Sequence, residues 1–212
     1  MPAVLKVGLT GGIAVGKSAV GEIFAALGAH VAQADQVSHQ LMQPGGAVYQ
    51  EVIDHFGPEI LDANGGVNRA RLAELAFGTA TQPSRVHELN QIVHPAVIRW
   101  QEAWMAEVGD RDPGAIAIVE AALILEAGMA KSFDRLIVVT CRPEQRIERW
   151  AQRLKVDKET ARREVERRMA VQMPDEEKIK AADYVIDNSG SLHETAQQIK
   201  ESYAELKKEA ES

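Results

Sequence analysis

The sequence predicts an α/β fold: a doubly wound, parallel, five-stranded sheet that carries a long helical insertion and a charged helical lid. Three observations lead there. Short continuous apolar runs recur along the chain with helical patterns between them, as expected of parallel strands buried on both faces. The first run meets a glycine cluster that opens a helix, Gly11-Gly12-Ile13-Ala14-Val15-Gly16-Lys17-Ser18. Two intervening stretches, about 36–109 and 146–180, are too long or too polar for plain crossovers.

In chain order, 4–9 reads as a buried strand entering a tight loop. A helix begins near Lys17, with Val20, Ile23, Phe24 and Leu27 at helical spacing and Gly28 as its stop. Residues 30–34 read as a second strand closing at Asp35. From 36 to 107 the pattern is helical, broken by Pro44-Gly45-Gly46, Gly57-Pro58 and Asn64-Gly65-Gly66, and an inserted region of this kind is a natural place for an acceptor site. Within it, His94-Pro95 reads as a helix junction, and Trp100 and Trp104, four apart, as packing residues. Apolar runs at 115–119, 136–140 and 184–186 complete the sheet. The stretch 144–180 is dense in Arg, Lys and Glu and reads as either a solvated hairpin or a mobile lid. A last helix starts at Leu192 and ends in the charged Lys207-Lys208-Glu209. The expectation is one domain over 1–212, with a core of about 1–35, 110–145 and 180–212.

Composition narrows the partners. With 212 residues, 45% hydrophobic and 26% charged, the chain can bury one full core. A net charge of -7 argues against polynucleotide binding, which depends on neutralising backbone phosphates. Cys141 is the sole cysteine, so no internal disulfide can form, and the expected compartment is the cytoplasm. The apolar start is interrupted by Lys6 and followed by glycines rather than a cleavage site, so no exported form is expected. No apolar run approaches the ~20 residues that span a bilayer. A small-molecule partner and a monomer or weak homo-oligomer are the expectation.

The glycine cluster fits G-x-x-x-x-G-K-[ST], between a strand and a helix. Typical residue frequencies would produce it in a chain this size less than roughly once in a hundred cases. The residue types have a shared chemical purpose. Glycines let the N–H groups of Gly11, Gly12, Ile13, Ala14, Val15, Gly16, Lys17, Ser18 and Ala19 turn toward polyphosphate, and the helix N-terminus adds partial positive charge. The Lys17 ammonium reaches the β and γ phosphates, and the Ser18 hydroxyl is a ligand for Mg²⁺. ATP with Mg²⁺ is the expected donor. A guanine-nucleotide switch should carry N-K-x-D, which is absent, and Asp62-Ala63-Asn64-Gly65 followed by Gly66 reads as a turn.

Asp35 falls where strand ends face the ligand crevice, so it is either the base that accepts the acceptor's hydroxyl proton or a helix cap. Glu120 closes the third apolar run and Glu126 follows it; either could stand behind the metal or serve as a cap. Arg142, Arg146, Arg149 and Arg153 share one stretch, three of them on one helical face, and guanidinium groups suit the γ-phosphate oxygens. Arg146 reads as paired with Glu144 or Glu148, whereas Arg153 reads as available to phosphate. Cys141 reads as a core or strand-end residue.

The chain resembles the dephospho-coenzyme A kinase family nearly end to end. The likeness runs from Gly8-Leu9-Thr10-Gly11-Gly12-Ile13 and Gly16-Lys17-Ser18 through Ala34-Asp35, Pro44-Gly45, Phe56-Gly57 and His94-Pro95. It continues with Leu123, Glu126, Arg149, Arg153 and Gln172, and closes on Ala182-Asp183-Tyr184-Val185-Ile186-Asp187-Asn188-Ser189-Gly190. The resemblance implies transfer from ATP to the ribose 3′-hydroxyl of dephospho-coenzyme A, with Asp35 as base, Arg153 in the lid and Asn188 near the adenine. The chain departs from the family pattern at Ala14-Val15 for Gly-Ser, Ala19 for Thr, Gln33 for Asp and His39 for Arg. It also lacks the proline of the acidic motif at 120–126, and its lid is about one helical turn longer.

Overall fold

The computed structural model describes residues 4–77 and 83–212 and contains one parallel five-stranded sheet among them. Its strands are β1 (Leu5–Gly11), β2 (His30–Gln33), β3 (Ile116–Glu120), β4 (Arg135–Thr140) and β5 (Tyr184–Asp187), in the spatial order β2-β3-β1-β4-β5. Every residue of β3 is buried, the mark of a strand covered on both faces, and this is why its sequence is apolar without alternation. By contact, the chain divides into two compact units, Met1–Gln33 with Met105–Ser212, and Ala34–Trp104.

In the first unit, helices α1 (Lys17–Ala26) and α9 (Leu192–Ala210) cover one sheet face. Val7, Leu9, Ile118, Ile137 and Ile186 meet Val20, Phe24, Ile199 and Leu206 there, all of them without exposure. Burial of each such side chain is worth about 1.5–3 kcal/mol. On the other face, Leu136 and Val138 pack on Ile124 and Phe133 from the connection after β3. The α9 helix starts on a capping box, with Ser191 Oγ accepting from Glu194 N and Glu194 Oε2 accepting from Ser191 N.

After β4 come α6 (Pro143–Leu154), α7 (Lys158–Met169) and α8 (Asp175–Ala181). The α6–α7 hairpin turns at Lys155, whose φ is 54°, and α7 is capped by Asp157, which accepts from Thr160 N at 2.9 Å. The hairpin is more than a solvated charge run. Ile147, Trp150, Ala161 and Val165 form a small core that includes Ile13 of the glycine loop.

The second unit holds α2 (Ala34–Leu41), α3 (Tyr49–Phe56), α4 (Arg69–Phe77) and most of α5 (Val86–Arg111). Two expectations need correction here. The strand expected to close at Asp35 ends at Gln33, and Asp35 lies in the first turn of α2. His94-Pro95 marks no junction, because α5 runs through Pro95. The proline removes one backbone donor, and buried Val93, Ala96 and Val97 on either side keep the helix packed. Asp62 does form a turn, its Oδ1 accepting from Asn64 N at 2.8 Å and Gly66 N at 3.0 Å. Trp100 and Trp104 stack with centroids 5.9 Å apart. No helix among the described residues is long and apolar enough to cross a membrane.

Candidate active site

The glycine loop leaves the C-terminal end of β1 and runs into α1 at Lys17. Gly16, the residue before the helix, has φ 94°, and a Cβ on it would stand 2.3 Å from Asn188 Nδ2, so only glycine fits. Ala14 adopts φ 55° without that freedom. Val15 turns its side chain fully into the main core, which anchors the middle of the loop to the sheet.

Three side chains hold the loop from behind. Arg149 donates to Val15 O at 2.8 Å and to Asn188 O at 2.8 Å. Asn188 Nδ2 donates to the same Val15 O at 2.8 Å, and its Oδ1 accepts from Thr195 Oγ1 at 3.1 Å. Arg146, 1% exposed, lies under Gly12, where an added Cβ would meet its Nη1 at 2.7 Å. Its carboxylate partner is Asp175, not Glu144 or Glu148. Residues two apart on a helix do not face one another, so the neighbouring acids were unsuitable partners from the start.

At the front of the loop, Lys17 Nζ donates to Gly11 O at 3.0 Å and Gly12 O at 3.1 Å. Ser18 Oγ donates to Glu120 Oε1 at 2.9 Å across the β1–β3 pair, where Leu9 and Glu120 are in register. A hydroxyl and a carboxylate in contact are hard oxygen donors that suit Mg²⁺. No cluster of three His, Cys, Asp or Glu side chains capable of caging a metal exists among the described residues. A site that borrows phosphate oxygens needs no such cage. Glu126 belongs elsewhere: it pairs with the fully buried Lys178 at 2.8 Å and accepts from Met173 N at 3.0 Å.

A family model for dephospho-CoA kinase matches residues 5–194. The chain belongs to the dephospho-CoA kinase family. A dephospho-CoA kinase of Aquifex aeolicus (strain VF5) is 40% identical over 201 residues, covering 95% of this chain and 97% of that one. Among solved structures, TT1252 from Thermus thermophilus superposes with a TM-score of 0.75 at 28% identity, covering 96% of this chain and 98% of that one. A dephospho-CoA kinase from Campylobacter jejuni shares the fold at TM-score 0.61 and 23% identity, covering 95% and 97% of the two chains.

In this family member the first unit brings together Lys17, Ser18, Glu120, Arg146, Arg149 and Asn188 around one loop. Asp35, in the second unit, is exposed and caps no backbone N–H among the described residues. Gln33, two residues before it, pairs in register with Glu120. Arg153 is exposed, and its guanidinium lies over the Trp150 ring. Cys141 is buried beyond the end of β4, and burial pushes its thiol pKa up. Sequence reasoning missed Asp175, Thr195 and Lys178. Their partners lie 29, 7 and, for Lys178 and Glu126, some fifty residues away, and nothing local announces them.

Proposed function

We infer that this enzyme transfers the γ-phosphoryl group of ATP to the ribose 3′-hydroxyl of dephospho-CoA, giving CoA and ADP. The observation that carries this reading is the family match across 5–194, which includes every residue of the loop. The loop N–H groups and the α1 N-terminus hold the donor phosphates. Lys17 exchanges its two loop carbonyls for phosphate oxygens, and the Arg153 guanidinium supplies charge to the γ oxygens. Mg²⁺, when bound, offsets charge on the β and γ phosphates; Ser18 would hold it, with Glu120 behind. Asp35 accepts the proton of the 3′-hydroxyl as the O3′–Pγ bond forms and the bond from Pγ to the β-phosphate oxygen breaks, releasing ADP. Asn188 serves the nucleotide through the loop it holds, because its side-chain oxygen is already engaged by Thr195.

The test is incubation of pure protein with Mg·ATP and a panel of alcohol acceptors, with products identified by mass. Dephospho-CoA should be converted to CoA far faster than any other acceptor, and preference for a different acceptor would overturn the assignment. Asp35→Asn keeps the size of the side chain and should slow single-turnover transfer by roughly 10²–10⁴ while ATP affinity changes little. A parental rate in that variant would remove Asp35 from the chemistry.

A further inference from the structure

Trp150 is 5% exposed, in the lid core with Ile147, Ala161 and Val165 and against Ile13 of the phosphate loop. Two arginines from different helices converge on its ring. Arg153, from α6, places its guanidinium carbon 4.5 Å from the ring centroid, and Arg168, from α7, places its own at 4.9 Å. One indole therefore gathers two cations at the edge of the loop.

The neighbouring charges leave this pair under-neutralised. Arg162 has Glu166 at 3.8 Å. Arg167 takes Glu164 Oε2 at 2.9 Å, so Arg168, whose Nε stands 3.8 Å from the same oxygen, has only a shared and distant acid. Arg153 has no ion-pair partner among the described residues. Like charges so placed repel one another, and an anion that bridges them removes the repulsion. Stacking on an aromatic face fixes the plane of a guanidinium yet leaves its in-plane N–H groups free, the geometry in which arginine binds phosphate.

We propose that Arg168 is a second lid cation acting on the terminal phosphates of the donor, and that Trp150 is the positioning residue that holds it beside Arg153. This rests on the kinase reading above. In the Mg·ATP and dephospho-CoA assay, Arg168→Ala should lower kcat on the order of 10²-fold, the usual cost of one preorganised donor to transition-state charge. Arg162→Ala, which removes an exposed surface pair, should stay within about twofold of the parent. Guanidinium chloride at low, non-denaturing concentration should restore part of the lost kcat in Arg168→Ala. Trp150→Phe, which retains an aromatic face, should keep more kcat than Trp150→Leu, which retains only apolar bulk.

A parental kcat in Arg168→Ala would overturn the proposal. So would a loss of rate that tracks a loss of melting temperature and is not rescued by guanidinium, since Arg168 would then only support the hairpin. Equal rates for Trp150→Phe and Trp150→Leu would overturn the positioning role of the ring. Absence of transfer by the parent protein is a separate outcome, which strikes the kinase reading before any variant is made.

Discussion

Toward the N-terminal end of α6, Arg146 and Arg149 give their guanidinium groups to protein partners: the half-buried Asp175 carboxylate beside Gly12, and the carbonyls of Val15 and Asn188. At the C-terminal end of the same helix, Arg153 is exposed, stacks on Trp150 and has no carboxylate among the described residues. The residue type and the helix are the same in both places. What differs is burial and the availability of an internal acceptor. A buried guanidinium with its acceptors in place shapes the loop, whereas an exposed one without a carboxylate partner keeps its N–H groups toward solvent.

The largest expected effect breaks the inner end. Arg146→Ala leaves Asp175 without its cation and empties the space beneath Gly12, so urea denaturation should show a loss of about 3–5 kcal/mol. A loss below about 1 kcal/mol, the range of surface pairs, would place Arg146 with the outer arginines after all. The outer end should respond in rate instead. Arg153→Ala should lower kcat by roughly 10²–10³ with an unchanged melting temperature, and Arg153→Lys, which keeps charge but loses the planar fork, should fall between. Parental turnover in Arg153→Ala would make the comparison one of two structural roles.

A smaller effect tests the loop that both ends serve. Ala14 has φ 55°, a conformation costly for any residue with a Cβ, so Ala14→Gly should raise stability by up to about 1 kcal/mol with little change in turnover. Destabilisation would mean that the methyl group packs against the lid core more than it strains the backbone. The smallest effect lies at His39, whose pKa is lowered by burial and by the nearby Arg69. The unfolded chain then takes up a proton at ordinary imidazole pH while the folded chain does not. Stability should therefore decline as pH falls through the mid-6 range and level off below the folded pKa. His39→Asn should flatten that part of the denaturation profile, and an unaltered profile would exclude His39 as its source.

The sheet was readable because four of its strands are continuous apolar runs, and the loop because its motif is local in sequence. The end of β2 was not, because apolar Ala34 extends the strand pattern and α2 follows β2 with no residue between them. Pro95 misled for the opposite reason: proline is a strong stop signal, and tertiary packing overrode it. Lys17 and Ser18 were identified from the motif alone, but the contact of Ser18 with Glu120 spans 102 positions and depends on strand register. The role of Arg146 was hidden because its acid lies 29 positions on, at the start of α8, while two more obvious glutamates flank it.

Val15 gives the loop a property that its glycines alone would deny it. Because its side chain is fully buried among the residues that join the sheet to α1 and α9, the middle of the loop cannot open without disturbing that core. Its carbonyl is also fixed by two donors, from α6 and from the end of β5. The loop should thus belong to the same cooperative unit as the central strands. In native-state hydrogen exchange its hydrogen-bonded surroundings would open only with global unfolding, at a free energy well above that of an ordinary surface loop.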